Sequence, residues 1–210
     1  MLLLEPDFGA TVIAVGAVVG MMFLAGARLI YVLALLASVA LGFLVLVFSA
    51  PYRLQRLTAY QDPWSDPFGA GFQLVQSLIA FGRGEWFGVG LGNSIQKLFY
   101  LPEAHTDFVF SIWAEETGLF GALLLILLFV GLITRIMQTG WRAAAEGDGF
   151  AAYLCFGVGL MFAGQVFINM GASSGLLPTK GLTLPFVSYG GSSLIMNCAL
   201  LGIVLRITQQ

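Results

Sequence analysis

Charge is scarce in this sequence. Only nine of its 210 residues are Lys or Arg and eleven are Asp or Glu, so charged side chains make up 10% of the chain, whereas soluble domains carry about 25%. Apolar residues reach 59%. This composition excludes a soluble enzyme, a disordered chain and a coiled coil. The two signs nearly balance, at a net charge of −2, and therefore predict no nucleic-acid partner.

Cysteine and histidine are also rare, with two residues and one residue. The two cysteines, Cys155 and Cys198, lie in uncharged stretches, where a thiol behaves as a small apolar side chain, and they exclude a disulfide scaffold. His105 is the only histidine, which excludes a three-histidine zinc site within this chain. The first residues lack a basic segment and are interrupted by Glu5 and Asp7, so no signal peptide is predicted.

Long uncharged stretches dominate what remains. A transmembrane helix needs about 20 apolar residues, at about 1.5 Å of rise for each residue. We therefore predict an all-α polytopic membrane protein with about five transmembrane helices. They cover approximately residues 8–26, 29–50, 109–137, 150–170 and 192–207.

One long connection separates two predicted helices in residues 1–50 from three in residues 109–210. This loop, residues 51–108, is far longer than a tight turn, and loops of such length are usually functional. Its uncharged middle, residues 68–81, is too short to span a bilayer and is predicted to be interfacial or re-entrant. A second irregular segment, at about residues 171–191, is predicted to be re-entrant between the last two helices.

The basic residues orient the predicted helices. Long loops cross a membrane largely regardless of their charge, so arginines in short loops weigh more. This rule places the 135–148 loop and the C-terminus in the cytoplasm, and residues 51–108 and 171–191 together on the outer side of the membrane. The raw count alone does not decide, because four basic residues fall on the first side and five on the second. The two groups are Arg28, Arg135, Arg142 and Arg206, and Arg53, Arg56, Arg83, Lys97 and Lys180.

Three glycines open the first polar segment of the long loop. Gly88, Gly90 and Gly92 superficially suggest a nucleotide loop, but they lack the strand–turn–helix context in which backbone amides cradle a phosphate. We favour a turn between membrane-associated elements. Lys97 follows this turn, and its spacing leaves open a contact with a phosphate, a pair with a carboxylate, or simple solvation.

Glu103, His105 and Asp107 alternate immediately before an apolar stretch. If the segment is extended, the three side chains face one way; if Asp107 opens the helix, its carboxylate caps the helix N-terminus. A carboxylate at the edge of the apolar layer loses hydration. This loss raises its pKa toward neutrality, which makes it a usable base. Two acids and an imidazole therefore suit acid–base chemistry, or a hard divalent cation.

The second polar segment, residues 175–193, interrupts a stretch that is otherwise apolar enough for a membrane. It contains two prolines, several glycines and hydroxyls, and the lone Lys180. Backbone this irregular at membrane depth must be buried in protein or line a polar cavity. It is either a structural turn or a cavity wall whose free amides and Lys180 receive an anionic head group.

Three motifs in this order resemble the SEDS family of bacterial wall proteins. They are EPDFG at residues 5–9, PEAHTDF at 102–108 followed by EETG at 115–118, and LPTKGLTLPFVSYGGSS at 177–193. The PTKG form at 178–181 and the AHTD form at 104–107 resemble the division branch rather than the elongation branch. Family members typically have ten spans, so the chain resembles the C-terminal half of that fold, beginning within span six.

The resemblance implies a peptidoglycan glycosyltransferase of the inner membrane, with both outward segments in the periplasm. Such proteins polymerise lipid II into glycan strands, and in division they work at the septum with a class B penicillin-binding protein and other division proteins. By similarity, Asp107 matches the family's essential acidic residue and is predicted to be catalytic. The residues predicted to bind substrate are Lys97, Glu103, His105, Glu116, Lys180 and Ser188. The sequence requires no cofactor, and it leaves open a divalent cation, Mg²⁺ or Mn²⁺, to assist the pyrophosphate.

Two other functions fit the same hydropathy. A flippase that moves lipid II outward also needs a cavity with an anion-receiving wall, and a non-catalytic scaffold would only activate the penicillin-binding protein. A translocation path would place ionisable groups within the spans, whereas Glu103, His105 and Asp107 lie in a loop. Their placement favours the enzyme.

Overall fold

A computed structural model of the chain describes residues 8–48, 60–69, 71–178 and 181–209. Six α-helices and one short π-helical turn account for most of them, and no strand occurs within these ranges. The predicted all-α class is confirmed. The helices are α1 (Phe8–Leu24), α2 (Leu29–Phe48), α3 (Phe72–Gly84), α4 (Val109–Ala145), α5 (Gly149–Ser173) and α6 (Gly191–Thr208), and the π-turn is Gln96–Tyr100.

Three helices of the described chain are long and apolar enough to cross a membrane, namely α4, α5 and α6. These correspond to the last three predicted spans. The first two predicted spans correspond to α1 and α2, whose described apolar portions are shorter, Gly9–Leu24 and Leu29–Gly42. The predicted re-entrant stretch at 68–81 corresponds to α3, a helix of 13 residues.

The predicted loop over 135–148 is wrong. Helix α4 continues past residue 137, the predicted end of the third span, to Ala145, and residues 146–148 alone connect it to α5. Arg135 and Arg142 do not stop the helix because Arg is a good helix former whose long stem lets the charge reach water. Asp148 then starts α5, since its carboxylate accepts a hydrogen bond of 3.0 Å from the Ala151 amide.

Helix α5 lies at the centre of the packing, between α1 on one side and α4 on the other. Small residues allow the close approach: the position of a Cβ on Gly20 would lie 2.7 Å from Leu160, and one on Gly140 would lie 2.7 Å from Phe156. Helix α3 packs along the first part of α4. The buried hydroxyls of Ser77 and Ser111 join these two helices at 2.5 Å.

Because successive helices run in opposite directions, the polar segments lie together at one end of the bundle. The loop before α4, the end of α5 and the start of α6 all lie there, and Gly9 of α1 contacts Leu182 at the same end. The opposite end carries three of the described arginines. Arg142 and Arg206 lie in the last turns of α4 and α6, and Arg28 lies in the turn between α1 and α2.

Candidate active site

Helix α4 is broken near its start, and the break shapes the polar end of the bundle. Gly118 adopts φ 68° and ψ −167°, far from helical values, so the neighbouring backbone groups lose their helical partners. The backbone of residues 85–90 supplies the missing hydrogen-bond partners. The amides of Val89 and Gly90 donate to the carbonyls of Glu115 and Glu116 at 3.0 and 3.1 Å. In the other direction, the amides of Leu119 and Phe120 donate to the carbonyls of residues 85 and 86, at 2.9 and 3.3 Å.

Two glycines make this insertion possible. Gly88 and Gly118 both have positive φ, 78° and 68°, which glycine adopts without steric cost. A Cβ on Gly118 would lie 2.4 Å from the Gly88 amide, and a Cβ on Gly88 would lie 2.2 Å from the Glu116 carbonyl. Gly90 and Gly92 also have positive φ. The turn predicted for these glycines is confirmed.

Glu115 lies completely buried beside the break, and no role was predicted for it. Its carboxylate accepts hydrogen bonds from the Ser94 hydroxyl at 2.5 Å and from the amides of Ile95 and Gln96 at 3.3 Å. A guanidinium nitrogen of Arg83 lies 3.4 Å away. The carboxylate thus joins α3, the π-turn and α4.

Lys97 pairs with Glu116, one of the three roles that its spacing left open. Its Nζ lies 2.7 Å from Glu116 Oε1, and both side chains are partly buried. These two residues were both predicted to bind substrate. The structure brings them together as an ion pair on the outer side of the break, and their contact with substrate stays a prediction.

The segment from Glu103 to Phe108 forms a tight turn. Glu103 has φ 55°, and its carbonyl accepts from the amides of Thr106, Asp107 and Phe108. Both predicted geometries are therefore wrong: the segment is not extended, and the N-cap of α4 is Phe108, without a side-chain capping bond. The turn arises because Glu103 takes a left-handed conformation, while its carboxylate accepts from the Thr106 hydroxyl at 2.7 Å.

The two polar segments meet at this turn. The hydroxyl of Ser188 donates to the Thr106 carbonyl at 2.5 Å and accepts from the Leu184 amide at 2.8 Å. The Tyr189 amide donates to the His105 carbonyl at 2.8 Å. Residues more than 80 positions apart in the sequence thus form one wall. The side chains of Glu103 and His105 are exposed on it.

Asp107 lies half-buried where the segments join. Its Oδ2 lies 3.1 Å from the position that a Cβ on Gly181 would occupy, so a larger residue at 181 would crowd this carboxylate. Asn169 of α5, itself buried, holds both backbones: its amide nitrogen donates to the Asp107 carbonyl at 2.9 Å and to the Leu182 carbonyl at 2.5 Å. The predicted catalytic carboxylate therefore borders the second polar segment.

Some predicted residues lie beyond the described part of the chain. Lys180 is one of them, as are Arg53, Arg56 and the motif at residues 5–7. Among the described residues, no group of three or more His, Cys, Asp or Glu side chains is arranged to hold a metal ion. Both cysteines are free thiols, as expected.

No structural role in the site was predicted from the sequence for three residues that the structure places there. They are Arg83, Glu115 and Asn169. An asparagine in an apolar helix is a signal that a sequence contains, because buried polar groups need partners. The identity of those partners depends on segments distant in sequence, such as residues 94–96 for Glu115.

Comparison with known proteins assigns the whole chain to one family. The model of the family FTSW_RODA_SPOVE, described as cell cycle protein, matches residues 1–210. Relatives named "Probable peptidoglycan glycosyltransferase FtsW" include one from Coxiella burnetii, 57% identical over 210 residues, and one from Hahella chejuensis, 60% identical over 207 residues. These matches cover 100% and 99% of this chain but only 56% and 52% of those proteins. The chain spans about half their length.

Solved structures give the same result. A chain from the study "Structural coordination of polymerization and crosslinking by a peptidoglycan synthase complex" superposes with a TM-score of 0.74 at 35% identity, covering 99% of this chain and 57% of that chain. The rod shape determining protein RodA of Thermus thermophilus gives a TM-score of 0.62 at 28% identity, over 99% of this chain and 51% of its own.

Proposed function

The chain belongs to the FtsW/RodA/SpoVE family, and from this premise we propose that it forms the catalytic half of a peptidoglycan glycosyltransferase, with Asp107 as the general base. The proposal concerns the whole protein, which joins lipid II units into glycan strands. One observation carries it: the carboxylate of Asp107 borders Gly181 in the second polar segment. The half-buried carboxylate thus faces a segment suited to an anionic, lipid-linked substrate.

The reaction explains why a carboxylate is needed. A sugar hydroxyl of the acceptor loses its proton as its oxygen attacks the anomeric carbon of the donor, and the bond from that carbon to the lipid pyrophosphate breaks with inversion. Asp107 takes the proton. A base within hydrogen-bond reach of the attacking hydroxyl contributes about 10²–10⁴-fold to the rate. The remaining wall holds Asp107 in place, since Asn169 and Ser188 fix the backbone on both sides of it.

The leaving pyrophosphate needs positive charge nearby. Lys97 is already paired with Glu116, and Arg83 lies beside Glu115. Lys180 directly precedes Gly181 in the sequence, so we assign it the pyrophosphate. A divalent cation would supply the same electrostatic stabilisation, and the described residues supply no dedicated cluster for one.

We place the site on the periplasmic face of the inner membrane, at the division septum. Arg28, Arg142 and Arg206 lie at the opposite end of the bundle, and the positive-inside rule assigns that end to the cytoplasm. A relative of known structure belongs to a peptidoglycan synthase complex. A class B penicillin-binding protein that crosslinks the new strands is accordingly the proposed partner.

Lipid II turnover tests the proposal. The full-length protein carrying this sequence is purified with a class B penicillin-binding protein whose own nucleophile is mutated, and both receive labelled lipid II in detergent. Glycan strands on a gel are the expected result. If no strands form, while lipid II crosses the bilayer of proteoliposomes containing the protein, the proposal is wrong and the flippase is favoured.

A further inference from the structure

Glu115 is an acid in a helix that is otherwise rich in Leu, Ile and Phe, and none of its surface is exposed. Burying a carboxylate is strongly unfavourable unless charge and hydrogen bonds compensate for the lost water. Helix α4 could have carried an apolar residue here at no such cost. The presence of the acid therefore calls for a role.

The partners of Glu115 come from two other parts of the chain. Arg83 belongs to the end of α3, whereas Ser94, Ile95 and Gln96 precede and begin the π-turn. Hydrogen bonds to an ionised acceptor are about twice as strong as neutral ones. One carboxylate thus fixes the start of the loop that leads to Asp107.

The rest of this loop is fastened to α4 by apolar packing. The Leu101 amide donates to the Gln96 carbonyl at 3.0 Å and so closes the π-turn. Leu101 and Ala104 are then buried against Phe108, the N-cap of α4, and against Ile112 within α4. The loop is held at its start by Glu115 and at its end by this cluster, and Asp107 lies between Ala104 and Phe108 in that held segment.

We propose that Glu115 is a positioning residue for Asp107: its buried charge anchors the 94–107 loop so that the base stays against the second polar segment. This inference rests on the proposed function, since it concerns the same carboxylate. It assigns Glu115 no contact with substrate. A displacement of about 1 Å of a catalytic group lowers turnover by up to about 10²-fold, so loss of the anchor acts mainly on kcat.

Glu115→Gln tests the charge while keeping the shape. A glutamine presents an NH2 group where one carboxylate oxygen accepted hydrogen bonds. That NH2 group then faces at least one of the donors of Ser94, Ile95 and Gln96, and the hydrogen bond between them is lost. Glu146→Gln is the matched control. Glu146 ends the same helix, is exposed, and lies at the opposite end of the bundle.

Two measurements are made on the full-length protein with its penicillin-binding partner. Amide hydrogen exchange of residues 95–108 is expected to accelerate at least about tenfold in Glu115→Gln, while α5 keeps its protection. The kcat for lipid II is expected to fall about 10- to 100-fold, with KM changing less than about threefold. Glu146→Gln is expected to match the wild type in both. Ser94→Ala, which removes one donor, gives a smaller change in the same direction and replaces Glu115→Gln if that variant does not fold.

Unchanged exchange in the 95–108 segment overturns the inference, whatever the activity. So does a Glu115→Gln variant that raises KM with kcat intact, because that pattern belongs to a substrate contact. An inactive wild type counts against the proposed function instead, and the exchange measurement then still decides whether Glu115 anchors the loop.

Discussion

Ser188 and Thr106 join the two polar segments of the site through one hydrogen bond. The hydroxyl of Ser188 donates to the Thr106 carbonyl at 2.5 Å, across 82 positions of sequence, and also accepts from the Leu184 amide at 2.8 Å. Its proton is therefore engaged by the protein. Ser188 was predicted to bind substrate; these contacts give it a structural role as well, which a substitution can measure.

Ser188→Ala leaves the Thr106 carbonyl and the Leu184 amide without this partner, and an unpaired buried group costs about 1–3 kcal/mol. We expect a lower unfolding temperature in detergent and turnover reduced several-fold. Ser65→Ala is the control, since Ser65 makes a comparable 2.7 Å bond to the Asp62 carbonyl on the exposed surface. Equal behaviour of the two variants would contradict a joining role for Ser188.

The break in α4 predicts a sharp contrast between two glycines of that helix. Gly118→Ala places a methyl group 2.4 Å from the Gly88 amide, at a position whose φ is positive. The substitution should therefore displace residues 85–90 from the break and destabilise the protein by more than about 1 kcal/mol. Gly131→Ala meets nothing within 4 Å and should be neutral or stabilising by up to about 1 kcal/mol. Thermal unfolding of both variants is the measurement, and a tolerant Gly118 would refute the steric account.

Hydropathy predicted the helices well because the backbone N–H and C=O groups of an apolar segment in a membrane have no water to bond to. They must pair within the segment, which makes it a helix. The break at Gly118 could not be predicted in this way. It exists because residues 85–90, on a distant part of the loop, supply the missing hydrogen-bond partners. An isolated glycine in an apolar helix gives no sign that such a segment will insert beside it.

The candidate site was predictable in its residues more than in its geometry. Both polar segments were assigned to one face, and the structure brings them into contact through His105 and Tyr189. The turn at Glu103 escaped prediction because a left-handed φ on a glutamate has no sequence signal. The burial of Glu115 escaped it because adjacent acids usually indicate an exposed surface.

Lys180 gives a prediction that depends on charge. Lys180→Met keeps most of the stem and removes the ammonium, and we expect lipid II binding or turnover to fall at least about tenfold, equivalent to about 1.4 kcal/mol. Lys180→Arg should rescue only partly, because a guanidinium fork does not reproduce a compact charge. Turnover against lipid II concentration measures both. Wild-type kinetics for the Met variant would remove Lys180 from the substrate site.

The proposed orientation predicts an asymmetric labelling pattern. In a full-length background in which all cysteines, Cys155 and Cys198 among them, are replaced by Ala, Leu91→Cys should react with an impermeant maleimide in intact spheroplasts. The reason is that Leu91 is 74% exposed at the polar end. Glu146→Cys, exposed at the arginine end, should react only after lysis. The reverse pattern would place the site in the cytoplasm and exclude a periplasmic polymerase.

The central claim is that Asp107 acts as a base, and an isosteric substitution tests it most directly. Asp107→Asn keeps the shape of the side chain and removes its ability to take a proton. Asp62→Asn is the control, an exposed acid of the same loop. Both full-length variants are given labelled lipid II with the penicillin-binding partner, after membrane insertion and partner binding are verified.

We expect strand synthesis by Asp107→Asn to fall by at least about 10²-fold, with Asp62→Asn unchanged. Near-normal polymerisation by Asp107→Asn would contradict the account.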